Sequence, residues 1–171
     1  MKSLAIAALM LLSLSGWAQD NDNESSTNPF VNELGFNAGF TTGLGLSYRH
    51  WFDKFGLQLT SVPFKYYDYA LISVGVTPMY SMYNSRYIRI YTYWGNHVCY
   101  RSWPYTEYLY NEPTKSYITS TEYNVGLGFG FSFGRVVAFN ISLGYGAYDV
   151  LGGFDNLSLL PTCEMGLFWR F

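Results

Sequence analysis

The stretch VGLGFGFSFGRVVAFNISLGY, residues 125–145, decides the fold. Val125, Leu127, Phe129, Phe131 and Phe133 alternate with Gly126, Gly128, Gly130 and Ser132. Gly134 and Arg135 reverse the chain, after which Val137, Phe139, Ile141, Leu143 and Tyr145 alternate with Ala138, Asn140, Ser142 and Gly144. A period of two is that of an extended strand with unlike faces, and two such runs around a tight turn make a hairpin. The glycines superficially match a phosphate loop. Strict alternation with no helix following makes the run a strand.

The same period runs through the chain on either side. Leu34, Phe36, Ala38 and Phe40 oppose Glu33, Gly35, Asn37 and Gly39; Leu44, Leu46 and Tyr48 oppose Gly45, Ser47 and Arg49. Phe55, Leu57 and Leu59 oppose Gly56, Gln58 and Thr60, and further runs follow at 70–77, 88–94 and before Phe171. The expected fold is all-β: an eight-stranded antiparallel up-and-down transmembrane β-barrel over residues 32–171, with 32–40 as its first strand. A tilted strand needs about 9 to 11 residues to cross a bilayer.

The breaks alternate in length. Those at Asp53, Asn84 and Gly134 are tight; those at 65–69, 98–117 and 148–155 are longer, as periplasmic turns and external loops are. Thr41 and Thr42 fall where an external loop is expected and are too few for one. An even strand number puts both termini on the periplasmic side. Pro63 and Pro161 fall near the external rim, whereas Pro78 stands inside a strand and predicts a bulge or local break.

One face of every run is Leu, Val, Ile and Phe; the other is glycine and polar. A soluble barrel buries its apolar face, so this pattern points lipid-ward. Eight strands enclose a space that side chains just fill. Arg49, Arg89, Glu122 and Glu164 fall on the inward face and predict a lumen ion-pair network, with Glu164 bonded to Arg49 or Arg89. Such a network serves a gate or proton path, or simply a satisfied polar core; a narrow eight-stranded lumen favours the core. Aromatic girdles are expected at Trp51, Phe52, Tyr80, Tyr83, Tyr87 and Trp169 near one end. At the other end the candidates are Tyr66, Tyr67, Tyr69, Trp94, Tyr100, Trp103 and Tyr105.

Composition agrees. Only 13% of residues are charged against roughly 25% in soluble domains, 20% are aromatic, and mean hydropathy is +0.01. A net charge of −2 without a basic block gives nucleic-acid binding no support. Residues 1–18, with Lys2, an apolar run from Leu4 to Leu12, and Gly16 and Ala18 before a cleavage point, read as a signal peptide. Residues 19–31 read as a polar flexible leader. Cys99 and Cys163 are not expected to pair, and neither a metal site nor a cofactor is expected.

The last residues, GLFWRF, place Leu167, Trp169 and Phe171 on one lipid face and end in Phe. With TTGLGLSYRHWF at 41–52, they resemble the small outer-membrane β-barrel domain family and, more distantly, OmpA- and OmpX-like eight-stranded barrels. The resemblance covers about residues 32–171. It implies residence in the cell outer membrane, contact with outer-membrane lipid, and recognition of the C-terminal strand by the outer-membrane assembly machinery. It names no activity and no partner for the external loops.

Chemistry has few candidates. Of the two histidines, His50 is beside a periplasmic turn and His97 at the external end of its strand, near Cys99 and Glu107. Some barrels of this kind deacylate or acylate lipid A, so His97 is the residue to watch. A base needs a nucleophile or oriented partner in reach, and no Ser–His pairing is recognisable in sequence. The reading is therefore a structural or surface-interaction barrel with no catalytic residues. A lipid-modifying enzyme, a narrow pore and a soluble lipocalin-type barrel are the alternatives.

Overall fold

The computed structural model describes residues 30–109, 112–153 and 157–171. The expected signal peptide (1–18) and nearly all of the leader (19–31) lie outside the described residues. The strands are β1 (Asn32–Gly39), β2 (Gly43–Phe52), β3 (Phe55–Tyr66), β4 (Tyr69–Asn84), β5 (Ile88–Leu109), β6 (Glu112–Phe133), β7 (Val137–Tyr148) and β8 (Ser158–Arg170). Each pairs antiparallel with the next, and β8 returns to β1 through Glu33↔Arg170 and Phe36↔Leu167. The chain is an all-β, eight-stranded, up-and-down barrel. Closure matters because an unpaired sheet edge is not tolerated in hydrocarbon.

The faces fall as the alternation requires. Phe36, Phe129, Leu143, Leu167 and Trp169 point outward and are exposed, while Glu33, Ser47, Arg49, Arg89, Ser132, Asn140, Glu164 and Arg170 are buried inside. A barrel with its charges inside and its hydrophobes outside is of the transmembrane type. Trp51 is a correction: instead of joining the girdle it shares the inward face of Arg49 and is only 2% exposed. Glycines make the room. A Cβ on Gly56 would strike the Trp51 ring and one on Gly130 the Tyr91 ring.

Turns at the end carrying the termini are tight, and Asp53 adopts a left-handed φ of 58°. The other end departs from expectation. Residues 65–69 are not a loop: β3 runs to Tyr66 and β4 starts at Tyr69, with Tyr67 turning at φ 50°. Tyrosine favours strands, and the cluster there is strand sequence. Residues 98–109 and 112–117 are not a loop either, because β5 and β6 continue as one ladder to Leu109↔Glu112. β4 accompanies β5 only as far as Ser102, so Pro104 stands in a strand that has lost a neighbour, where proline is tolerated. Pro78 makes the local break without a bulge: the β4–β5 pairing skips Thr77 and Pro78 and resumes in the same register, Val76↔Asn96 before and Met79↔Tyr93 after, while the bulge falls at Ser81/Tyr83. Cys99 is buried and Cys163 exposed, and both are free.

Candidate functional site

The lumen holds two polar groups separated by an aromatic layer. At the end bearing the termini, Glu33 of β1 binds three arginines. Its carboxylate accepts from Arg49 Nη1 at 2.9 Å, Arg89 Nη1 at 3.0 Å and Arg170 Nε at 3.0 Å, joining β1 to β2, β5 and β8. All four side chains are at most 2% exposed. Neutral acceptors help carry the excess positive charge. Gln58 Oε1 takes Arg49 Nε and Nη2 at 3.1 and 2.6 Å, Asn140 Oδ1 takes Arg49 Nη1 at 3.1 Å, and Asn84 Oδ1 takes Arg89 Nε at 3.2 Å. Arg170 also donates to the Ser132 hydroxyl and the Gly134 carbonyl. Arg49 lies 4.2 Å over Phe168 and Arg89 4.1 Å over Trp51, adding cation–π attraction in a dry setting. Trp51, Met79, Tyr91 and Tyr93 form the layer above.

Beyond that layer the β1–β2 connection enters the barrel. Thr41 is 0% and Thr42 4% exposed, which is why this connection is short: it is folded inward as a plug, not outward as a loop. Four strands supply a socket. A Cβ on Gly75 would collide with the Thr42 carbonyl and one on Gly95 with the Thr41 carbonyl; those on Gly126 and Gly146 would meet the Thr41 side chain. The Glu164 carboxylate accepts from the Thr41 amide at 3.3 Å and from its hydroxyl. Asn37 Nδ2 donates to Thr42 Oγ1 at 2.8 Å and to the Gly43 carbonyl at 3.0 Å. His97 Nδ1 donates to the Phe40 carbonyl at 2.8 Å, which leaves Nε2 to accept from the Ser73 hydroxyl at 2.8 Å. Ser73 Oγ in turn accepts from the Leu44 amide at 3.0 Å.

Of the expected network, Arg49, Arg89 and Glu164 are inside. Glu164 bonds the plug instead of an arginine; along β8 it stands six residues from Arg170, about 20 Å at strand rise. Glu122 has the inward parity but lies above the rim, where it pairs with Arg101 at 3.5 Å in partly exposed surroundings. Glu33 and Arg170, the centre and one arm of the cluster, were missed. Both were legible as the polar neighbours of Leu34 and Trp169. Sequence also missed the Ser73–His97 pair, whose partners come from different strands. The pair has the hydrogen bond of a base and nucleophile, but Ser73 is 1% and His97 5% exposed beside the plug, and a backbone carbonyl orients the ring. It clamps the turn.

Gly95→Val should expel or distort the plug, lowering stability by about 1–3 kcal/mol as overpacked cores do. Urea unfolding in detergent micelles, followed by tryptophan fluorescence, measures it; an unchanged midpoint would mean the socket is looser than described.

No protein-family model and no curated protein matches the chain. Among solved structures it is similar to the N-terminal β-barrel domain of Pseudomonas aeruginosa OprF, at 15% identity and TM-score 0.49, covering 86% of this chain and 100% of that one. It is also similar to Ail, the attachment invasion locus protein of Yersinia pestis, at 18% identity and TM-score 0.34, covering 83% of this chain and 95% of that one.

Proposed function

We propose that the protein is a sealed integral barrel of the outer membrane that presents a β-hairpin for surface interaction and performs no catalysis. The observation that carries the reading is the inverted barrel: charges fill the lumen while Leu, Val and Phe cover the wall. Exported through its signal peptide, the chain would meet the assembly machinery through Leu167, Trp169 and Phe171, which are exposed along β8 and at its end. The arginine cluster, aromatic layer and plug succeed one another along the axis, so the lumen supports no pore.

The hairpin supplies the interaction surface. Residues 103–109 of β5 extend about 20 Å beyond the last β4 partner. On the other side β7 pairs with β6 only from Val125, so 112–124 have β5 as their one strand neighbour among the described residues. Trp103 and Tyr105 ride on this projection, and Arg101 stands just below it, opposite Leu71 of β4. The short turns with the termini then face the periplasm and the hairpin faces outward.

Membrane fractionation with heat-dependent gel mobility tests the placement, and a protein released without detergent would defeat it. Deleting 103–118 and bridging the ends with a short turn should leave heat-dependent mobility intact while removing the protease-sensitive surface segment of whole cells. His97→Ala should leave lipid A acylation unchanged, because the imidazole holds a turn; altered acylation would revive the enzyme.

A further inference from the structure

Two grooves on the outer wall stand out among the described residues, and they differ in the polar groups beside them. Leu34, Leu46, Tyr48, Leu59 and Val74 ring a groove of about 320 Å³, at the lower limit of ligand-site volumes. It exists because Ser61, a small residue, stands on the outer face in register with Leu46 on one side and Val74 on the other. Tyr48 links it to a polar trio. Its hydroxyl donates to Asn32 Oδ1 at 2.7 Å, and His50 Nδ1 donates to the same oxygen at 2.7 Å. An amide oxygen only accepts, so Nδ1 bears the proton, and the tautomer protonated there leaves Nε2 as an acceptor. With its oxygen engaged twice, Asn32 keeps its two amide N–H groups as donors. Phe52, edge-on at 4.3 Å, fixes the imidazole.

Donors and an acceptor thus stand side by side at the level of the aromatic residues Phe52 and Phe55, beside an apolar trough. We propose that this is a binding site for one phospholipid with an ammonium-bearing headgroup. An acyl chain occupies the groove, the phosphate accepts from the Asn32 amide, and the ammonium donates to His50 Nε2. The site rests on the membrane reading above. The second groove, about 350 Å³ among Phe36, Ala38, Leu44, Phe139, Met165 and Leu167, has Asn37 as its polar liner, and that amide is turned inward onto Thr42 and Gly43. It is the internal control.

The test is native mass spectrometry of the full chain extracted in mild detergent from vesicles of equal phosphatidylethanolamine and phosphatidylglycerol. The wild type should retain one phosphatidylethanolamine several-fold in preference to phosphatidylglycerol. Ser61→Leu, which fills the groove from the lipid side without touching the lumen, should lose it; Ala38→Leu, in the control groove, should not. Equal retention by Ser61→Leu, or indifference to headgroup, would overturn the site. Heat-dependent mobility on the same samples separates the failures. A barrel that never inserts overturns the membrane reading with the site, and one that inserts but retains no lipid overturns the site alone.

Discussion

Glu33→Gln is expected to cost about 3–5 kcal/mol, the largest loss from any single substitution proposed for this barrel. The amide is nearly isosteric, so the loss is electrostatic. Arg49, Arg89 and Arg170 would stay buried at 1% exposure each with no carboxylate among them. Glu33 also sits at the closure seam, where its bond to Arg170 spans β1 and β8. Urea titration in micelles would show the loss as a lower midpoint, and folding yield into vesicles should fall with it. Adding Arg89→Met to Glu33→Gln should recover part of the stability, since it removes one unpaired charge and leaves an apolar side chain over Trp51. If Glu33→Gln unfolds at the wild-type midpoint, the neutral acceptors alone suffice and the cluster is not the keystone of the lumen.

Phe129→Arg should cost about 2–4 kcal/mol, the price of a guanidinium near the bilayer midplane. Phe129 is 55% exposed and stands at the centre of the outward row from Val125 to Phe133. On a soluble barrel the same exposed position would tolerate arginine within about 0.5 kcal/mol. Thr119→Arg supplies the comparison in the same strand: Thr119 is exposed on the hairpin above the last β7 partner, and its replacement should be nearly neutral. Equal effects at the two positions, measured in vesicles, would contradict a lipid boundary between them.

The alternation of side chains made most of the architecture readable. Leu127, Phe129 and Phe131 against Gly126, Gly128 and Gly130 fixed both the strand and its faces, because a strand's period of two depends on nothing distant. What the period could not supply was height along the axis. Glu122 falls on the inward side of its strand's alternation, as Arg89 does on its own, yet lies above the rim, since its position depends on how far β6 outruns β7. Contacts across the lumen were equally hidden. Glu33 and Arg170 are separated by 137 residues, and only closure brings them together. The plug went unforeseen because a two-threonine break is as compatible with a tight outer turn as with an inward one. What distinguishes them is the coincidence of Gly75, Gly95, Gly126 and Gly146 around Thr41 and Thr42, which exists only in three dimensions. The hairpin was misread because proline suggests a loop, although an edge strand accommodates it.

The most direct trial is a nitroxide placed in turn at positions 129 and 143, in a chain freed of Cys99 and Cys163 and reconstituted in lipid vesicles. Electron paramagnetic resonance should find both labels mobile, readily relaxed by dissolved oxygen and shielded from a water-soluble nickel chelate. Labels immobilised in a packed interior, or open to the chelate, would mean that the apolar face meets protein or water instead of lipid.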